Sequence, residues 1–228
     1  MGRSRQLQYV RADVYKRADI ESAIDRFPAS EIDRYINQGR AALRDEIIGA
    51  RGRSYFRKDT PQTITTAANT SRYNLNADFY QLISVRVGEE WGDCLHPFTP
   101  LEEPFLRAQT TAVDWPTHYE LQESTIELLP IHRANLSIIV EYIPVLTDVV
   151  GDTDPVEGYN GWEDYIVDYA ALQCAVKDDE PRVVQMLTQS LARLSDRISR
   201  LAPKRDRFRA ERVKDVHGYR RFGWWSRG

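Results

Sequence analysis

Residues 117–142 read THYELQESTIELLPIHRANLSIIVEY, and this stretch decides the fold. Tyr119 and Leu121 alternate with polar neighbours. Thr125–Leu129 and Leu136–Ile143 are short apolar runs, and Glu123-Ser124 and Arg133–Asn135 supply turn residues between them. A period of two bounded by turns predicts an antiparallel meander. Working outward, Ile83, Val85 and Val87 alternate with Ser84 and Arg86, so strand territory extends from about Ser54 to Asp148. One helix is expected inside it. Thr99-Pro100-Leu101-Glu102 combines a cap residue, a proline at the first helical position and an acid at the third.

On both sides of this territory the period lengthens to that of a helix. Val10, Val14 and Ala18 recur every four positions and predict a helix near 7–20. A second helix is expected from Ser30, capped with Asp33, with Ile32, Ile36, Leu43 and Ile47 on its apolar face and an end near Gly49 or Gly52. After the strands, Trp162, Tyr165, Ile166, Tyr169, Ala170 and Gln173 share one helical face, with Lys177 at the negative end of that helix. Asp178-Asp179 and Pro181 mark a break. Val184, Leu187, Leu191, Leu194, Ile198 and Leu201 then repeat at alternating three and four, and Pro203 closes the run. A bundle interior is the simple reading of that seam, and a coiled-coil partner the alternative.

The class is therefore α+β: a helical bundle with an inserted antiparallel β module and an extended C-terminal tail. Residues 1–53 supply the N-terminal helices, 54–148 the β module, 149–202 the C-terminal helices, and 203–228 a basic, aromatic docking tail. A lone N-terminal helix pair has nowhere to bury its apolar faces, so it is expected to pack on 162–201.

The 228 residues are 42% hydrophobic and 29% charged, which excludes wholesale disorder. The formal charge of −3 hides a split. Residues 203–228 carry nine Lys/Arg and three Asp/Glu, a net of +6, which leaves −9 on 1–202. Cys94 and Cys174 fit a reducing compartment rather than a disulfide scaffold. MGRSRQLQY has no secretory core, and Leu136–Leu146 is too short for a membrane span, so a soluble protein is expected.

The search for chemistry finds little. His96, His118, His132 and His217 stand in no ligand spacing and read as surface or strand histidines. There is no phosphate-binding glycine loop and no nucleophile elbow. Glu102-Glu103 and Asp178-Asp179-Glu180 fall at expected helix ends, and the acidic loop 152–157 lacks the ligand pattern of a calcium hand and reads as a solvated turn. No catalytic residue, metal ligand or cofactor is assigned. The tail differs: Phe208, Tyr219, Phe222, Trp224 and Trp225 are mixed with Arg209, Arg212, Arg220 and Arg221. Aromatics and arginines anchor protein interfaces. The same mixture suits docking on the parent fold or stacking on single-stranded nucleic acid, and a nucleic-acid-binding accessory protein is the alternative function.

Three stretches taken in order resemble the head-to-tail adaptor (connector) proteins of tailed bacteriophages. They are DRYINQGRAAL at 33–43, the strands of 117–142, and EGYNGWEDYIVDYAALQCAVKDD at 157–179. Arg205-Asp206 and Val213-Lys214-Asp215-Val216 follow the long helix as similar pairs do in that family. The resemblance implies a virion structural protein, made in the host cytoplasm and seated at the head–tail junction. It implies a ring of twelve copies joining the portal protein to the tail (nozzle, tail-tube or terminator) proteins, with genomic DNA passing through the lumen unbound and no membrane involved. It also implies no catalytic residues. The tail residues, Phe208 through Trp225, would then dock on the portal. Ile36, Trp162, Tyr165, Ile166, Tyr169, Leu187, Leu191, Leu194 and Ile198 would form the structural core.

Overall fold

The structure, a computed structural model, describes residues 4–21, 25–88, 94–97, 115–132, 135–159 and 161–201. Among the described residues there are four α-helices, α1 (Leu7–Arg17), α2 (Ala29–Arg51), α3 (Glu163–Lys177) and α4 (Pro181–Leu201), and nine strands. The fold is α+β. The expected helix at 99–102 lies outside the described residues.

Helix α1 buries Leu7, Val10 and Val14 and stops where Asp19 turns to φ +57°. Its N-terminus has no side-chain cap. Instead the Asp154 and Asp152 carbonyls accept from the Leu7 and Gln8 amides at 3.0 and 3.1 Å. The 152–157 loop is thus the cap of α1 rather than a merely solvated turn. Orphan amides at a helix start must be satisfied, and here a distant loop does it. The loop continues into β9 (Pro155–Glu157), which pairs antiparallel with β1 (Ser4–Gln6).

Helix α2 also corrects an expectation. It starts at Ala29, not Ser30, and no capping box forms. Pro28 precedes the helix with an extended backbone, and its carbonyl accepts from Glu31 and Ile32. Asp33 is drawn away by Arg11, a stronger charged partner. The helix passes through Gly49 and ends at Gly52, whose φ of +88° suits a residue without Cβ.

Helix α3 is buried on nearly every side, through Ile166, Val167, Ala170, Ala171, Cys174 and Ala175, because α1, α2 and α4 all pack on it. Acids in its first turn and Lys177 in its last complement the helix dipole. Burial pushes the Cys174 thiol up to about 12, so it stays a protonated core group. Gly39 allows the close crossing of α2 over α3: a Cβ there would meet the Ile166 carbonyl at 3.1 Å and Tyr169 at 3.3 Å. Pro181 opens α4 at its first position, where the missing amide costs nothing. The N-terminal helices do pack on α3 and α4, and their shared core includes Ile32, Ile36, Leu43, Trp162, Tyr165, Leu187 and Ile198.

The strands do not form a meander. β6 (His118–Gln122) and β7 (Thr125–Leu129) make the expected hairpin about Glu123-Ser124. β8 (Ser137–Pro144) leaves for another sheet, between β2 (Gln62–Thr65) and β4 (Phe79–Val87). The second sheet runs β3 (Arg72–Asn74), β7, β6, β5 (His96–Pro97), and its β5–β6 pairing is parallel. The two sheets share a core of Ile64, Leu82, Val85, Ile126, Leu128, Ile138, Val140 and Tyr142. Ile139 and Ile143 on the other face of β8 are buried as well, at 8% and 0% exposure. A strand covered on both faces reads as a continuous apolar run, which hid its departure from the hairpin.

Candidate functional site

Among the described residues, no group of three or more His, Cys, Asp or Glu side chains could hold a metal ion. No helix there is long and apolar enough to cross a membrane. His96 and His118 meet side by side across the parallel pair, with ring centroids 6.4 Å apart. His132 is not at the surface: it is fully buried, and burial lowers its pKa below the ordinary 6.5. His217 lies outside the described residues.

The polar clusters are ties between elements. Asp168 of α3, fully buried, accepts from Arg17 of α1 and Ser190 of α4, joining three helices. Arg11 of α1 forks onto Asp33 of α2 at 2.9 Å on both oxygens and reaches Asp152 in the capping loop at 3.0 Å. Lys177 at the end of α3 bonds Glu31 of α2 at 2.7 Å, and that contact, with Tyr35, holds the Glu31 carboxyl below the usual range. Of the predicted Asp178-Asp179-Glu180 cluster, Asp178 pairs with Arg26.

One cluster has the look of chemistry. The Tyr142 hydroxyl accepts from Lys58 and Asn76, both at 2.9 Å, and donates to Asp78 at 2.8 Å. Lys58 also reaches Asp78 at 2.7 Å, which raises the lysine pKa and lowers that of the carboxyl. A lysine beside a tyrosine invites an acid–base reading. Here the hydroxyl has spent its proton and both lone pairs on neighbours, so the group works as a knot at the end of β8.

The junction between helices and strands rests on α2. Asn37 donates to the Val149 carbonyl and accepts from its amide, each at 3.0 Å. Arg40 donates to the Thr147 carbonyl at 2.9 Å, and Arg44 to that of Pro144. Arg44 also lies over the rings of Phe56 and Tyr80, at 5.4 and 5.3 Å. Both arginines are buried, and burial lowers their pKa values. They clip the chain leaving β8 along one side of the helix. Sequence reasoning missed this clip. Its one signal is that Arg40 falls inside the apolar arc of Ile36, Leu43 and Ile47, where a cation needs a specific partner.

The structure places the predicted core residues as follows. Ile36 and Ile166 are fully buried, Leu187 and Ile198 are 1% exposed, and Trp162 and Tyr165 are 6% and 7% exposed. Tyr169, Leu191 and Leu194 are partly buried against the same cluster. The predicted docking residues Phe208, Arg209, Arg212, Tyr219, Arg220, Arg221, Phe222, Trp224 and Trp225 lie outside the described residues.

A helical bundle is thus tied to a strand region by backbone clips, and the polar clusters described above serve as ties between elements. The family model for the SU10 adaptor protein matches residues 7–215, and the chain belongs to that family of phage head-to-tail adaptors. No curated protein matches the chain. The match spans every tie described above, so the stretches that resemble the family have physical roles. In 33–43, Ile36 and Leu43 fill the core, Gly39 permits the helix crossing, and Asn37 and Arg40 form the clip. In 157–179, Asp168 joins three helices, and a Cβ on Gly158 would fall 2.1 Å from Glu163 Cγ.

Proposed function

We propose that this adaptor is a non-catalytic ring component of the virion neck, twelve copies joining the portal to the tail and extending the DNA channel. The family match over 7–215 carries the reading. The polar clusters of Asp168, Arg11 and Tyr142 hold elements together, as a structural role requires. Residues 1–53 and 149–202 act as the helical scaffold, 54–148 as the inserted β module, and 203–228 as the segment that docks on the portal. The tail's net charge of +6 against −9 on the remainder favours an acidic portal groove as its target. DNA passes through the lumen without specific binding, past an acidic body that repels it.

The test is electron microscopy of the full chain mixed with its portal. A ring on the narrow end of the portal is expected, and its loss on truncation after residue 202. A truncated chain that still decorates the portal removes the docking role of the tail. Steeply salt-dependent binding of the full chain to single-stranded DNA, lost on the same truncation, would favour the nucleic-acid reading of the tail.

A further inference from the structure

Helix α4 ends at Leu201, and the sequence continues as PKRDRFR at 203–209. Lys204, Arg205, Arg207 and Arg209 stand there with Phe208 against the single acid Asp206. Pro203 has no amide to continue a helical ladder, which disfavours carrying this basic run onward along the α4 axis. Its reach is bounded: the chain from Leu201 to Phe208 spans at most about 25 Å.

A groove of about 590 Å³ begins within that reach, between α2 and the last turn of α4, where Ser199 lines it. Ala42, Asp45, Glu46 and Gly49 recur at helical spacing and form one stripe of α2 along it. The floor is open: a Cβ on Gly49 would meet nothing within 4 Å. The charged side chains lining it are both acidic. Asp45 accepts from the Tyr80 hydroxyl at 3.3 Å and Glu46 from Ser195 at 3.0 Å. Neither carboxylate is in an ion pair among the described residues. Burial, with Glu46 and Asp45 adding to it, pushes the Tyr165 hydroxyl on the same groove up to about 12. The groove therefore favours positive charge.

Exposed acids occur elsewhere on the body, so charge alone does not choose the occupant. Asp179 and Glu180 precede the start of α4, and its 21 residues at 1.5 Å each set them about 30 Å from Leu201. Meeting them would need the basic run drawn out along the whole helix, whereas Ser199 brings the groove within two residues of Leu201. Short closures cost the least chain entropy. We infer that in the free chain residues 204–209 fold back onto the α2–α4 groove, with their cations on Asp45 and Glu46 and Phe208 on the floor at Gly49. Such docking does not depend on the portal reading above, and it leaves residues 219–225 for the portal.

The test is photo-cross-linking from p-benzoylphenylalanine placed at Phe208 in the full chain without portal. Adducts within one copy, mapped by peptide mass spectrometry to residues 42–50 of α2, are expected. Arg205→Glu with Arg207→Glu should cut their yield about tenfold or more, and adding Asp45→Lys should restore much of it, while the double Lys variant of the two arginines should keep it. These tail substitutions lie beyond α4, so a loss does not report unfolding of the bundle. A yield that charge reversal leaves unchanged would mean tethering alone and overturns the docking. Adducts mapping elsewhere, or none, overturn it too. Adducts on 42–50 formed only between two copies would hand the groove to a neighbour's tail and overturn the fold-back.

Discussion

In the helical bundle charged side chains tie separate helices and loops, while in the strand region the Glu141 and Glu127 carboxylates each find a charged partner on an adjacent strand. Asp168 joins α1, α3 and α4, and Arg40 and Arg44 join α2 to the chain leaving β8. In the strands, Glu141 of β8 bonds Arg86 at 2.8 Å and Ser84 at 2.9 Å, both on the adjacent β4. The difference follows from backbone hydrogen bonding. Strands find their partners through their own amides, so side chains need only neutralise one another locally. Helices satisfy their amides internally, and what positions one helix against the next is side-chain packing and a few charged ties.

The largest effects should come from the two cores. Ile36→Ala and Ile138→Ala each delete a fully buried aliphatic side chain and should cost about 3 kcal/mol in denaturant titrations. If the two regions are separate units, Ile138→Ala should expose the strand core before the helical signal is lost. A single shared transition for both variants would break the comparison.

Asp168→Ala should cost about 2 kcal/mol. A fully buried pair loses about 3–5 kcal/mol when one partner goes, but Arg17 is 39% exposed and can turn to water. Arg44→Met should cost somewhat less, about 1–2 kcal/mol, by leaving the Pro144 carbonyl without its donor. Its distinctive result is a wider gap between the strand and helix transitions, measured by probes on each region. An unchanged gap would show that the clip does not couple them.

The smallest effect is a pH dependence confined to the strands. The folded state keeps His132 neutral below its ordinary pKa of 6.5. The unfolded chain therefore takes up a proton first as pH falls through about 6.5. Stability is full above that value and declines toward acid, by at most about 1.4 kcal/mol per pH unit for one proton. His132→Gln should flatten this slope while leaving the helical signal unchanged. A slope that persists in the variant assigns it to another group.

Much of the fold was legible because it depends on local period. The apolar stripes of α1, α2 and α4 and the β6–β7 hairpin follow from residues a few positions apart. The start of α2 was misjudged because Asp33, a plausible cap by spacing, has a better partner in Arg11. The meander was misjudged because the apolar run of β8 carries no mark of which strand it pairs with. The site was less legible still. The adaptor class could be read from three ordered stretches, yet within the first Arg40, a cation on an apolar arc, marks a need for a partner without naming residues 147–149 as that partner.

By itself, the sequence determined the helix and strand territories, the acidic body with its basic aromatic tail, and the resemblance that the family match bears out. All three depend on composition or on spacing within a few turns of chain. Only the tertiary structure decided the split of the strands into two sheets, the capping of α1 by the 152–154 loop, and the arginine clip. Those features join residues distant in the chain, through backbone groups that every residue carries, so no side-chain pattern names the partner.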